Sequence, residues 1–140
     1  MTHTGQCNCG AVRARIAGEP VAVRQCWCRQ CQKLAGGGAM NNAMFRAEDV
    51  DLDGPVATWS YTAASGNTLT LHRCAECGTP IGAQSSGRPQ FRTLRFGFLD
   101  EEHGLVPTMA IWADEKPAWA TIDPTLEIVS GQPGPPPSAS

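Results

Sequence analysis

All seven cysteines of this chain fall in three short clusters, and no other feature narrows its possible folds as much. They read CNC at 7–9, CWCRQC at 26–31 and CAEC at 74–77. An odd set of thiols does not close into a disulfide framework, and a reducing compartment disfavours one in any case. A single buried cysteine is ordinary core material, but scattered core residues do not collect into three clusters. Metal ligation accounts for the pattern. Cys-x-Cys on a strand sends two side chains to one face, about 6.5 Å apart between Cα atoms. Cys-x-x-Cys followed by glycine, as in CAECG, is a zinc knuckle: backbone N–H groups turn toward the sulfurs and glycine takes the positive φ.

Spacing leaves open which thiols share an ion. One partition joins Cys28 and Cys31 with Cys74 and Cys77, following the paired C-x-x-C template. The other joins Cys7 and Cys9 with Cys74 and Cys77, leaving Cys26, Cys28 and Cys31 as a separate trio. Closing the loop from Cys9 to Cys74 costs about 4 kcal/mol, well below the roughly 10–16 kcal/mol of a structural zinc. Chain entropy therefore rejects neither.

The rest of the chain reads as short strands. In residues 11–18 Val12, Ala14 and Ile16 alternate with Arg13 and Arg15, and 21–26, 57–62, 68–73, 91–98 and 108–112 continue the style. Turn signals at 53–55, 65–67 and 86–89 separate them. Residues 30–35, running into Gly36-Gly37-Gly38, predict a turn or two of helix. The expected fold is mainly β, one domain over residues 1–130, followed by a disordered Pro/Gly/Ser tail at 131–140.

The net charge of −2 and the nine arginines and two lysines, scattered without a run, exclude the footprint of a nucleic-acid binder. No apolar stretch approaches a membrane span, and the N-terminal residues lack a signal-peptide pattern. The expected setting is cytoplasmic. The oligomeric state is not legible.

The stretches GQCNCGAV, CWCRQCQKLAG and RCAECGTPI, with SGN before TLTLHRC, LRFGFLDE and IWADEKPAW, resemble the glutathione-dependent formaldehyde-activating enzyme family, which includes centromere-protein-V-like proteins. The resemblance covers about residues 5–130. Trp27 stands where histidine is frequent in that family. The resemblance implies a β-tent of small antiparallel sheets and the second partition. Cys7, Cys9, Cys74 and Cys77 would hold a structural zinc, and Cys26, Cys28 and Cys31 a second zinc at the active site. It also implies a carbon–sulfur lyase acting on an adduct of glutathione, or another small thiol, with formaldehyde or a related aldehyde.

The chemistry of three thiolates agrees. Zinc with three protein ligands keeps an open position, and three thiolates leave it a formal charge of −1, poor for polarising a carbonyl. A coordinated thiol, by contrast, is deprotonated outright, whereas a free thiol is mostly protonated at neutral pH. Two rival readings keep the cluster but not the lyase: a non-catalytic, zinc-stabilised binding module, and a redox switch of clustered thiols.

Around the clusters, Arg24, Arg29, Arg73 and Arg95 are candidates for ligand carboxylates, against the plainer reading of solvated surface charge. Gly36-Gly37-Gly38 could admit a ligand to the backbone or form an ordinary loop. His72 could reach the open metal position or face water, and His3 could cap the site or be disordered. Trp27 and Trp59 are expected in the core or the cavity wall, and Trp112 and Trp119 in packing of the terminal strands.

Overall fold

The computed structural model describes residues 2–136. Eleven strands and one short helix follow in chain order: β1 (His3–Gln6), β2 (Arg13–Ile16), β3 (Ala22–Cys26), α1 (Arg29–Leu34), β4 (Met40–Arg46), β5 (Val50–Asp53), β6 (Val56–Thr62), β7 (Thr68–Cys74), β8 (Pro80–Ser85), β9 (Phe91–Arg95), β10 (Met109–Ile111) and β11 (Glu127–Ile128). They form a three-stranded sheet, β1-β2-β5, and a larger one in the order β11-β10-β3-β4-β9-β8-β7-β6. Pairing is antiparallel throughout except at β10, which runs parallel to both β3 and β11. The mainly β architecture of antiparallel sheets is the one expected, and α1 coincides with the expected helix.

The alternation in residues 11–18 does what its pattern requires: in β2, Arg13 and Arg15 are exposed while Ala14 and Ile16 are buried. Those two pack with Val12 against Ala43 and Phe45 of β4, Ile81 of β8, Leu94 of β9, and Phe98 and Leu99. The small sheet thus covers one face of the large sheet. The opposite face carries the intervening residues, among them Asn42, Met44, Thr93 and Arg95, and lines a cavity. One face builds the core and the other the site. Phe45, fully buried at 0% exposure, is central to the first. Phe45→Ala is expected to cost about 3–5 kcal/mol, read as a lower urea midpoint with unchanged metal content.

The strand expected over 91–98 stops at Arg95. Phe98 donates its N–H back to the Arg95 carbonyl at 3.0 Å, a turn that drives Phe98 and Leu99 into the core. The same turn ties the sheets together, because Gln6 N–H donates to the Phe98 carbonyl at 2.9 Å. At the C-terminal end, Trp112 donates its backbone N–H to the Gly131 carbonyl (3.1 Å) and its Nε1–H to Gln132 Oε1 (3.0 Å). Of the expected tail, residues 137–140 lie outside the described residues. Among the described residues no helix is long and apolar enough to cross a membrane.

Candidate functional site

The fold sorts the seven thiols into two groups. Cys7, Cys9, Cys74 and Cys77 lie together, as do Cys26, Cys28 and Cys31, with every sulfur within 4.8 Å of the others in its group. The partition that joins 28 and 31 with 74 and 77 is not the one formed.

The quartet is built from two turns. Gly10 and Gly78 close them at φ of 78° and 79°, the left-handed region that glycine occupies without penalty. Their N–H groups donate to the Cys7 and Cys74 carbonyls at 3.0 and 2.9 Å. Around the sulfurs, Val12 N–H donates to Cys7 Sγ at 3.2 Å, and Glu76 and Cys77 N–H to Cys74 Sγ at 3.4 Å. The Thr79 hydroxyl lies 3.2 Å from Cys77 Sγ and holds that thiol down to about 5. Sulfur separations are 3.6 Å for Cys7–Cys9 and 3.8 Å for Cys9–Cys74. A tetrahedron with metal–sulfur bonds of about 2.3 Å has edges of about 3.8 Å. Four cysteine sulfurs, inward N–H donors and this spacing fit a closed tetrahedral metal centre.

The trio spans the end of β3 and the start of α1. Cys26 is the last residue of the strand. Cys28 caps the helix, accepting the Cys31 N–H at 3.3 Å, and Cys31 lies one turn in. The Cys26 thiol, then that of Cys31, holds Cys28 down to about 3, while the Cys28 and Cys31 sulfurs push Cys26 up. Three clustered cysteine sulfurs are a soft-metal ligand set, and the geometry offers three protein donors rather than four.

This trio lines a cavity of about 690 Å³ above the free face of the large sheet, within the range of small-molecule sites. Its wall is largely apolar, with Met44, Leu69, Leu71, Phe91 and Ile111, and its polar groups converge from several strands. Arg24 and Arg95 are buried, at 8% and 5% exposure. Arg95 Nη1 donates to Asn42 Oδ1 at 2.9 Å, and burial followed by the charge of Arg88 pulls Arg24 down. Burial, with the Cys28, Cys31 and Cys26 charges, pushes Tyr61 up to about 12, so its hydroxyl is a proton-bearing donor. Trp112 lines the cavity at φ 54°, the one positive-φ residue other than glycine among those described. Its bonds to Gly131 and Gln132 hold that turn.

Several candidates fall elsewhere. His72 lines an adjoining hollow of about 250 Å³ with Arg73, and not the trio's cavity. Burial, then Arg92 and Arg95, lowers its pKa. His3 is buried at 6%, its Nε2 on Glu19 at 3.1 Å, so it neither caps the site nor is disordered. Gly36-Gly37-Gly38 make an open turn after α1 and do not reach the cavity. Trp27 is buried beside Ala110 and Ala120. Trp59, half-exposed and stacked on Tyr61, lines the adjoining hollow, and Trp119 is exposed outside any strand. Arg24, Arg29 and Arg95 do line the cavity. Tyr61, Asn42 and Arg88 were not anticipated. The signal for them is that they occupy cavity-facing positions on strands or turns, visible only once β4 and its neighbours are placed.

Fold and site define a class: a β protein with one four-thiol knuckle and one three-thiol cluster opening on a cavity. The family model of the glutathione-dependent formaldehyde-activating enzyme matches residues 2–115, and the chain belongs to that family. Over 129 residues it is 26% identical to a Halomonas elongata protein named "Putative glutathione-dependent formaldehyde-activating enzyme", covering 88% of this chain and 82% of that one. It also resembles a crystal structure of a Rhodobacter sphaeroides protein, with a TM-score of 0.55 and 21% identity over 74% of this chain and 97% of the other. That last likeness speaks to the fold alone.

Proposed function

We propose that the protein is a zinc-dependent carbon–sulfur lyase acting on the adduct of a small thiol with an aldehyde, glutathione and formaldehyde being the pair the family name suggests. The observation that carries this reading is a three-thiol cluster in the wall of a cavity. The quartet Cys7, Cys9, Cys74 and Cys77 would hold a structural zinc, and Cys26, Cys28 and Cys31 a second one. A zinc held by Cys26, Cys28 and Cys31 would supply the Lewis acidity that favours the deprotonated form of a substrate thiol.

The chain's own residues then divide the remaining work. In the forward direction the substrate sulfur releases its proton to solvent, from which Tyr61 later regains one, and bonds to the carbonyl carbon. The carbonyl electron pair moves to oxygen, which takes up a proton; the reverse is cleavage of the carbon–sulfur bond. The Tyr61 hydroxyl shares the cavity with the trio and is the donor assigned to that oxygen. Leu69, Leu71 and Phe91 keep the wall apolar, so the reacting groups meet with little competing water. The Cys31 N–H steadies the Cys28 sulfur through the helix cap. A reducing compartment such as the cytosol would keep the trio free to bind metal.

The test is exchange between free and hydroxymethylated glutathione, followed by two-dimensional NMR. Zinc-loaded protein is expected to accelerate exchange in proportion to its concentration, and chelated protein is not. No acceleration by protein holding both zincs would leave a binding module in place of the enzyme. Tyr61→Phe is expected to slow exchange by about 10²-fold with zinc content unchanged, checked by metal analysis of the same sample.

A further inference from the structure

Sheet register places three polar residues of the cavity in one line. Arg24 of β3 is paired with Asn42 of β4, and Asn42 with Arg95 of β9. With strands about 4.8 Å apart, the two arginine Cα atoms stand about 10 Å from each other with Asn42 between. The row lies two residues before Cys26 on the same face of β3, about 6.6 Å along the strand. It therefore forms a floor one step from the trio.

No carboxylate among the described residues pairs with the charges in that floor, and the Cys31 thiol opposes Arg95 through space only. Among the described residues the ion pair within 4.0 Å is His3 with Glu19, and no arginine takes part in one. Arg95 spends Nη1 on a neutral amide, and its buried Nε has no partner. Arg29 and Arg88 bring the guanidinium groups on the same cavity wall to four. The one acidic residue on the cavity wall, Glu115, is engaged elsewhere, its Oε1 accepting the Arg29 N–H at 3.1 Å. Glu127 acts on Arg24 through space only. Buried guanidinium groups without carboxylates are costly unless a ligand completes them.

We infer that the Arg24–Asn42–Arg95 row is an anion-binding floor that receives the carboxylates of a substrate whose reacting group sits at the cysteine trio. The inference rests on the lyase reading of that trio and adds the charge class of what it acts on. Planar guanidinium forks match carboxylates two bonds at a time. Two guanidinium groups rooted on Cα atoms about 10 Å apart, with the Arg95 fork turned onto Asn42 between them, can meet two acid groups of one substrate. The acids can belong to the thiol or to the carbonyl partner, and both place negative charge on the same floor.

The test varies ligand charge on the zinc-loaded protein. Calorimetry with S-methylglutathione, which has two carboxylates and no free thiol, is compared with its dimethyl ester and with inorganic phosphate. The acid is expected to bind about 10-fold or more tightly than the ester. Arg95→Gln and the more exposed Arg88→Gln should each weaken the acid toward the ester, leaving ester binding and zinc content unchanged. Equal binding of acid and ester, or phosphate binding as tightly as the acid, overturns the inference.

The source is read from KM. Glutathione with formaldehyde, and 2-mercaptoethanol with glyoxylate, are each measured in wild type and Arg95→Gln. A rise in KM confined to the first pair assigns the acids to the thiol, one confined to the second assigns them to the carbonyl compound, and a rise in neither overturns the floor. Charge-dependent binding without any thiol-dependent turnover keeps the floor and removes the lyase.

Discussion

Cys28→Ser is expected to abolish thiol-dependent turnover and to remove one metal equivalent per chain while leaving the fold in place. The reasoning separates the two jobs of this residue. As the cap of α1 its sulfur accepts the Cys31 N–H, and serine is among the best residues for that task, so the helix keeps its start. As a metal ligand serine fails, because a hydroxyl stays protonated where a thiol is soft and ionises. Outer partners of metal ligands alone are worth about 10–100-fold in affinity or activity, so loss of a ligand is expected to exceed about 10²-fold. Metal analysis, a thermal melt and NMR exchange on one preparation check all three statements. Unchanged zinc content together with unchanged turnover would contradict the role given to the trio.

Cys74→Ser should act on stability instead. Cys74 is 1% exposed, ends β7, belongs to the main core cluster and draws two N–H groups onto its sulfur. It also joins segments far apart in sequence, since its neighbour Cys9 lies 65 residues away. Substitution opens the metal tetrahedron and leaves a polar hydroxyl in an apolar site. A loss of about 3–5 kcal/mol follows from a broken buried network, which for a chain of this length lowers Tm by about 10–20 °C. A chelator should reproduce the shift in wild type and add little to the variant. A melt within a few degrees of wild type would show that the quartet does not support the fold.

The legible parts of this molecule share a physical property: their signal is local. The alternation around Val12, Ala14 and Ile16 announced β2 because one side of that strand meets the core and the other meets water. QCQKLA ending in glycines announced α1 for a similar reason. β4 was missed because its core residues, Ala43 and Phe45, follow the adjacent Asn41-Asn42, which obscure the alternation, and both faces of that strand are covered. β8 was missed because Pro80 and Gly82 read as turn residues, although Gly82 is needed where any added Cβ would collide with the Thr93 carbonyl. The site divides in the same way. Cysteine spacing marked both clusters but left their partition open, since loop entropy is small beside metal affinity. The Arg24–Asn42–Arg95 row depends on register between three strands, a long-range property that no window of sequence carries.

The central claim is that two thiol groups hold metal and only the smaller exchanges ligands. Cadmium-113 NMR of the cadmium-loaded protein tests it directly, since chemical shift follows the number of sulfur donors. Two resonances are expected, one for each thiol group. Adding glutathione should move the one belonging to Cys26, Cys28 and Cys31 and leave the other where it was. Two resonances that both ignore the thiol would contradict the account, as would a single resonance from a fully loaded chain.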